Sequence, residues 1–425
     1  MGSELVGVLG VGYVGLTTAA CFASLGHRVV AVDVDQSKVD ELGRGVVSIG
    51  EPGLDDMVRA GLAAGRLRFT TELRALADAG TVLLCLPTPM GEGGVADLGA
   101  LSSALGELAP ILRPGCVLVT KSTVPVGTAE RIPGLLGRTD VPVVSNPEFL
   151  REGHAVHDFL HPDRIVLGSA DPDARDRVRA LYASLDAPVV VTGTASAELA
   201  KYASNAFLAL RLSYVNVLAE LCENLGADVT DVTATMGLDP RIGADFLAPG
   251  PGWGGSCLPK DTSALACIAA ESGVDFALLR AAVDANAHQR ERIVRKVRRA
   301  AGGSLAGARI GLLGLAFKAG TDDLRHSPAL EIARELARRG AVLTGYDPGV
   351  PPSARVDPVH LVDDPVLVAK DAAAIVLLTE WPEFRDLDWA QLAEVADRRA
   401  VVDTRNLLDP DQLTGQGFSY TPLGR

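Results

Sequence analysis

Aromatic side chains are scarce in this chain. Phe, Trp and Tyr together make up 4% of 425 residues, although hydrophobic residues reach 48%. Its cores must therefore be built from Ala, Val and Leu, which suits packed helices and parallel strands. Positive charge is also short: 40 Lys and Arg stand against 53 Asp and Glu, a net charge of −13. That balance argues against a nucleic-acid surface, while an anionic small molecule would need only a local basic pocket. The six cysteines (Cys21, Cys85, Cys116, Cys222, Cys257, Cys267) show no metal-like pairing. Most sit in apolar contexts, as reduced core thiols do, and no metal is expected. No apolar stretch approaches the length of a membrane span, and the first residues read as a strand without a basic leader. The expectation is a cytoplasmic protein with no membrane partner, and its length suggests two or three domains.

What is present begins at once. Leu5-Val-Gly-Val-Leu9 reads as a buried parallel strand. It runs into Gly10-Val11-Gly12-Tyr13-Val14-Gly15 and then an apolar helical stretch. In such a unit the first glycine makes the turn, the second admits a pyrophosphate to the backbone amides, and the third lets helix and strand pack closely. The helix amino terminus adds N–H groups and a partial positive charge. A second strand ends at Asp33, 18 residues beyond Gly15. An acid there accepts hydrogen bonds from a ribose 2′-hydroxyl and repels a 2′-phosphate, so NAD is expected over NADP. The bland alternative is a simple strand–helix turn with Asp33 as a strand-end cap.

Strand and helix then alternate. Thr81–Leu86, Cys116–Thr120, Val141–Ser145, Ile165–Gly168 and Val189–Val191 read as further strands of an open parallel sheet. Ligands bind at the carboxyl ends of such strands. Three of these ends carry polar residues, placing Thr88 and Thr123 toward a cofactor and Glu148 toward a reacting carbon. Taken singly, each threonine could equally cap a helix and Glu148 could be a surface turn acid.

From about Ser196 the alternation stops. Glu198 to Gly226 reads as one long helix, with Leu199, Tyr202, Ala206, Leu210 and Leu221 near helical spacing. Residues 300–307 read as a linker. Alternation resumes with strands at Arg309–Gly314, Val342–Asp347, Ala374–Thr379 and Val401–Asp403. The expected fold is α/β. Two Rossmann-like, doubly wound parallel-sheet domains (1–195 and 301–425) are joined by a central helical dimerisation domain (196–300).

Cys257 lies in Pro251-Gly-Trp-Gly-Gly-Ser-Cys-Leu-Pro-Lys-Asp261. A thiolate can hold an aldehyde as a thiohemiacetal that is then oxidised to a thioester. A small buried cysteine in a tight turn is an equally good reading of the loop alone. Lys201 and Asn205 stand four apart on one helix face, where an ammonium and an amide can steady a developing oxyanion. Asn is a poor mid-helix residue, which favours a functional role.

Several blocks stand in order along nearly the whole chain: Gly10–Gly15, Ser122-Thr-Val-Pro-Val-Gly127, Asn146-Pro-Glu-Phe-Leu-Arg-Glu-Gly153, His161-Pro-Asp-Arg-Ile165, Glu198-Leu-Ala-Lys-Tyr-Ala-Ser-Asn205, Gly254–Asp261, Ala316-Phe-Lys318, Thr321–Arg325 and Asp403–Asn406. Together they resemble the UDP-glucose/GDP-mannose dehydrogenase family. The chain departs from the common pattern at Val217, Leu258 and Thr404.

The resemblance implies an amino-terminal NAD domain, a central dimer domain and a carboxy-terminal domain holding the nucleotide diphosphate. It implies a four-electron oxidation of a primary alcohol to a carboxylate with two NAD reduced. UDP-glucose is the expected sugar nucleotide. GDP-mannose, a UDP-N-acetylhexosamine, or a non-catalytic sensor role are the alternatives. Cys257 would be the nucleophile, Asp261 part of the base that takes the alcohol proton, and Glu148 the base for hydrolysis, with Thr123 placing the water. Lys38, Glu152, Lys260 and Arg325 would join the glycine turn, Asp33, Thr88 and Thr123 on the cofactor. The substrate would meet Glu148, Phe149, Leu150, Arg151, Glu152, Lys201 and Asn205, then Phe246, Leu247, Gly250, Gly254, Lys318 and Arg405. Arg241 would reach it across a subunit boundary, in a homodimer or a multiple of one.

Overall fold

Continuous apolar runs become the strands, because a parallel strand is covered on both faces and needs no polar alternation. A computed structural model of the protein describes residues 4–425, the Glu92 side chain excepted. The chain divides into two compact units. The first takes residues up to Ser204 together with Ser263–Ser272, and the second Asn205–Thr262 with Gly273–Arg425. The helical stretch expected as a central domain is apportioned between them.

The first unit holds β1 (Leu5–Leu9), β2 (Arg28–Val32), β3 (Leu67–Thr70), β4 (Thr81–Leu84), β5 (Val117–Thr120), β6 (Val143–Ser145), β7 (Ile165–Gly168) and β8 (Val189–Thr192). Their order in the sheet is β3-β2-β1-β4-β5-β6-β7-β8. The strand order reverses between β1 and β4, so the glycine turn after β1 opens at the switch point where open α/β sheets bind ligands. Apolar clusters cover both faces: Val6, Val8 and Leu83 point into one, Leu9, Val82 and Leu84 into the other.

The second unit holds β9 (Arg309–Leu313), β10 (Val342–Tyr346), β11 (Val359–Leu361), β12 (Ala374–Leu377), β13 (Ala400–Asp403) and β14 (Ser419–Thr421). Their order, β11-β10-β9-β12-β13-β14, repeats that of the first six strands of the other sheet, and every pair is parallel. Trp389 is buried on one face with Phe384 and Phe418.

Two readings are corrected. The first sheet is not parallel throughout: β6 meets β7 antiparallel, at Ser145 opposite Gly168. Burial cannot tell the two senses apart when both strands are covered on both faces. Side chains bridge this seam, with Asn146 Nδ2 donating to the Val166 carbonyl and Ser169 Oγ to that of Val143. The long helix begins at Thr194, four residues before Glu198, and ends at Leu225. The segment read as a linker joins the helix Ala277–Ala300 to β9; Gly302, Gly303, Ser304, Ala306 and Gly307 are exposed, and Leu305 is buried in the second core.

Candidate functional site

In the first unit the glycine turn has the geometry its spacing demands. Gly10 adopts φ +90°, a conformation that side chains disfavour. A Cβ on Gly15 would stand 1.8 Å from the Gly10 carbonyl oxygen, so nothing larger than glycine fits there. A Cβ on Gly12 would meet nothing within 4 Å. That open face beside the amides leading into the helix Tyr13–Ser24 is where a pyrophosphate fits. Asp33 turns its carboxylate back to this turn, accepting from Val11 N at 2.8 Å and from Asp35 N at 3.1 Å. Lys38 Nζ stands 3.5 Å from the same carboxylate. Val34 beside it is 96% exposed, an apolar platform in the open.

Thr88 and Thr123 come together at neighbouring strand ends, Thr88 Oγ1 donating to the Thr123 carbonyl at 2.8 Å. Tyr13 directs its hydroxyl to the Glu51 carboxylate. The phenol is held well above its usual range by burial first and then by Glu51. Val14 is half-buried on the first turn of that helix.

Glu148 follows β6 and is buried. Lys201, on the long helix, places Nζ 2.9 Å from Glu148 Oε1. Leu150 N donates to the other carboxylate oxygen at 2.6 Å. Burial alone would push this carboxyl up. The Lys201 charge and hydrogen bond, the Leu150 amide and Lys121 outweigh it and hold the group below its usual range. Glu148 is therefore an ionised carboxylate fixed in orientation, not a surface turn acid. Phe149 packs its ring on the Arg164 guanidinium, 3.7 Å from the ring centre, with Lys201 Nζ 5.4 Å away. Glu152 is half-buried.

In the second unit Cys257 stands immediately before the helix Leu258–Glu271, its carbonyl accepting from Asp261 N at 2.9 Å. A sulfur at a helix amino terminus is favoured as thiolate by the helix dipole. Ser256 Oγ lies 3.6 Å from the sulfur. One turn on, Asp261 is fully buried. Its two oxygens take Asn205 Nδ2 and Lys260 Nζ, each at 2.6 Å. Lys201 and Asn205 are thus each engaged by a carboxylate.

The loop ahead of Cys257 is pinned from two helices. Asn216 Oδ1 accepts from Gly250 N at 2.8 Å, and Gln289 donates to the Gly250 carbonyl at 2.7 Å. Trp253 exchanges backbone hydrogen bonds with the Asn286 side chain and donates its indole N–H to Ser213 Oγ. Close approach needs the glycines. A Cβ on Gly254 would stand 2.0 Å from the His326 carbonyl, and one on Gly250 3.0 Å from the Arg405 guanidinium. Arg405 reaches the Phe317 carbonyl, next to half-buried Lys318, and pairs with Glu380 at 2.9 Å. Gly250, Gly254, Cys257, Lys318 and Arg405 therefore cluster in one unit.

Other expected residues have near neighbours of their own. Arg241 is exposed and bound to Asp239, and Arg325 is bound to Asp323 in the second unit. Arg151 is bound to Asp158. Leu247 is buried in the fold, while Phe246 is half-buried at φ +57°. Sequence reasoning missed Glu51, Asn216, Asn286 and Gln289. These are polar residues whose partners lie dozens of positions away, and no local spacing could signal them.

Among the described residues, no group of three or more His, Cys, Asp or Glu could hold a metal ion. No helix there is long and apolar enough to cross a membrane. Comparison with known proteins covers nearly the whole chain. Residues 4–186 match the NAD binding domain of the UDP-glucose/GDP-mannose dehydrogenase family, 195–288 its central domain and 311–410 its UDP binding domain. A UDP-glucose 6-dehydrogenase of Rhizobium meliloti (strain 1021) is 44% identical over 98% of this chain and 99% of its own. Among solved structures, a UDP-glucose dehydrogenase from Pyrobaculum islandicum is 38% identical with a TM-score of 0.89, covering 96% of this chain and 95% of its own. A UDP-D-ManNAc dehydrogenase from Pyrococcus horikoshii also has a TM-score of 0.89, at 29% identity over 99% of each chain.

Proposed function

We propose, because this chain belongs to the UDP-glucose/GDP-mannose dehydrogenase family, that it oxidises the C6 primary alcohol of UDP-glucose to the carboxylate of UDP-glucuronate. The observation that carries the reading is the built surround of Cys257: a helix amino terminus, glycine-only contacts and an Asp261–Asn205–Lys260 cluster around a buried carboxylate. NAD, when bound, takes up the electrons of both oxidation steps.

The chain's residues divide the remaining work. The Asp261 cluster receives the proton of the alcohol, directly or through water. Cys257 adds through sulfur to the aldehyde carbon, giving a thiohemiacetal whose oxidation leaves a thioester. Lys201 and Asn205 supply an ammonium and an amide to developing negative oxygen. Glu148 takes a proton from the water that cleaves the thioester, with Thr123 orienting it, and sulfur departs as the thiol. Glycine-loop amides with Lys318 and Arg405 hold the diphosphate.

A UDP-N-acetylhexosamine is the second reading, favoured by the likeness to the Pyrococcus enzyme. The 44% identity to a UDP-glucose enzyme supports the first. The test is NADH formed from a panel of nucleotide sugars: two NADH per UDP-glucose are expected, and Cys257→Ala should abolish them. One NADH per sugar would refute the thioester route, and turnover of another sugar alone would reassign the substrate. No NADH from any sugar would favour a sensor.

A homodimer is part of the proposal. Phe207, Tyr214, Val217, Leu221 and Leu225 form an exposed apolar stripe at helical spacing in the second unit. A second copy, related by a two-fold axis, would cover it. The six cysteines, thiols rather than disulfides, support a reducing, cytoplasmic location.

A further inference from the structure

Glu51 has no part in that chemistry, yet it is one of the few buried carboxylates of the first unit, 6% exposed. It lies on the turn before the helix Leu54–Ala63, fixed by Glu51 N donating to the Ile49 carbonyl and by its own carbonyl accepting from Leu54 N. A buried carboxylate is costly unless donors surround it. Those donors come from two remote segments. Tyr13, the first residue of the glycine-turn helix, gives its hydroxyl to Oε2. Gly153 N donates to Oε2 at 2.8 Å and also to the Tyr13 hydroxyl at 2.9 Å. Val156 N donates to Oε1 at 3.3 Å.

Gly153 adopts φ +77°, and that left-handed turn presents its amide to the pair. The segment leading into it is 148–152, which begins with Glu148 and includes Leu150, whose amide orients Glu148. On its other side the clasp holds the residue that follows Gly12, whose open face suits the pyrophosphate.

We propose that Glu51 is a positioning residue that couples occupancy of the dinucleotide turn to the order of the 148–156 segment. The inference rests on the reading of the first unit as an NAD domain, and not on the identity of the sugar. With Tyr13 and Gly153 sharing one carboxylate oxygen, settling the helix start around a pyrophosphate stiffens the segment that carries Glu148. Ordering that segment in turn favours the cofactor, since coupling between two sites is reciprocal. A Glu51 that served only to stabilise the fold would lower the melting temperature without changing either response.

The experiment uses the full chain with NAD alone. Calorimetry gives the NAD dissociation constant, and hydrogen exchange follows the amides of 150–156 with and without NAD. In the unmodified protein NAD should slow exchange across that segment. Glu51→Gln puts an NH2 group against the amide donors. It should weaken NAD binding about tenfold, within the usual range of coupling between two sites, and remove the slowing. Tyr13→Phe, the milder change and the deciding variant if Glu51→Gln does not fold, should reduce both responses. Adding it to Glu51→Gln should change NAD affinity by less than about twofold more.

The proposal is overturned if NAD leaves exchange at 150–156 unchanged in the unmodified protein. Undiminished slowing in a folded Glu51→Gln or Tyr13→Phe variant overturns it too, as do independent, multiplying effects of the two substitutions. Failure of UDP-glucose to yield NADH would be a separate result, bearing on the sugar and not on this coupling.

Discussion

Replacing Lys201 by Met removes the ammonium that stands 2.9 Å from the Glu148 carboxylate. The two side chains are 4% and 8% exposed, so water has little access to stand in for the lost cation. Breaking one partner out of a buried pair costs about 3–5 kcal/mol, because the other charge is left uncompensated. For a unit of this size, 1 kcal/mol moves the melting temperature by about 2–4 °C, so Lys201→Met should lower it by at least about 6 °C at pH 7.

The pH dependence follows from the sign of the Glu148 shift. In the unmodified protein the carboxyl is held below its usual value, with Lys201 the strongest influence opposing burial. Its contribution to stability is therefore full above the ordinary glutamate range, near about 4.3, and is lost as pH falls through the lower folded value. In Lys201→Met the carboxyl loses the strongest influence opposing burial and should rise from its lowered position, with the Leu150 amide and Lys121 left to oppose burial. The variant should then recover stability relative to the unmodified protein as pH falls from 7 to 5. Glu148→Gln combined with Lys201→Met should restore part of the loss, since both charges of the pair are gone, while buried Lys121 keeps Asn146 and Tyr182 as hydrogen-bond partners but loses the nearby carboxylate. Circular dichroism melts of the unmodified protein and the two variants at both pH values provide the assay. A loss below about 1 kcal/mol with no pH dependence would refute the argument that this pair is buried and mutually required.

Three further outcomes are expected. Gly15→Ala should destabilise the protein by about 1–3 kcal/mol or more, because its Cβ would overlap the Gly10 carbonyl; Gly12→Ala should fold normally but bind NAD more weakly, and melting curves with calorimetry separate the two. The unmodified enzyme should strongly prefer NAD to NADP and Asp33→Ala should narrow that preference; equal specificity constants for the unmodified enzyme would remove Asp33 from the ribose site. Glu148→Gln should give a burst of NADH and then a slow phase, as thioester accumulates on Cys257; rapid-mixing absorbance without a burst would take hydrolysis away from Glu148.

The β1–glycine turn–helix–β2 unit was legible because its strands are short apolar runs bounded by residues with strong backbone preferences. β3, β11 and β14 were not, being strands of three or four residues at or near sheet edges that mix apolar with polar side chains. The long helix was visible, but its buried face was not. Tyr202 and Ala206 are buried while Leu199 and Leu221 are exposed, because the helix is apolar on more than one side and periodicity alone does not choose between them. Cys257, Lys201, Asn205 and Asp261 could be found as blocks of sequence. That Asp261 binds Asn205, or that Glu51 binds Gly153, depends on contacts 56 and 102 residues apart, which only the folded chain brings about.

The pinning of Trp253 has a consequence for observing this protein. The chain has three tryptophans, and Trp253, Trp381 and Trp389 all fall in the second unit. Intrinsic indole emission therefore arises from the second unit alone, and no tryptophan stands in the first sheet. Trp253 lies four residues before Cys257, its indole N–H donating to Ser213 Oγ. A nucleotide sugar that shifts the glycine loop would change the polarity around that ring. The colour of its emission would then register loading of the loop without a label.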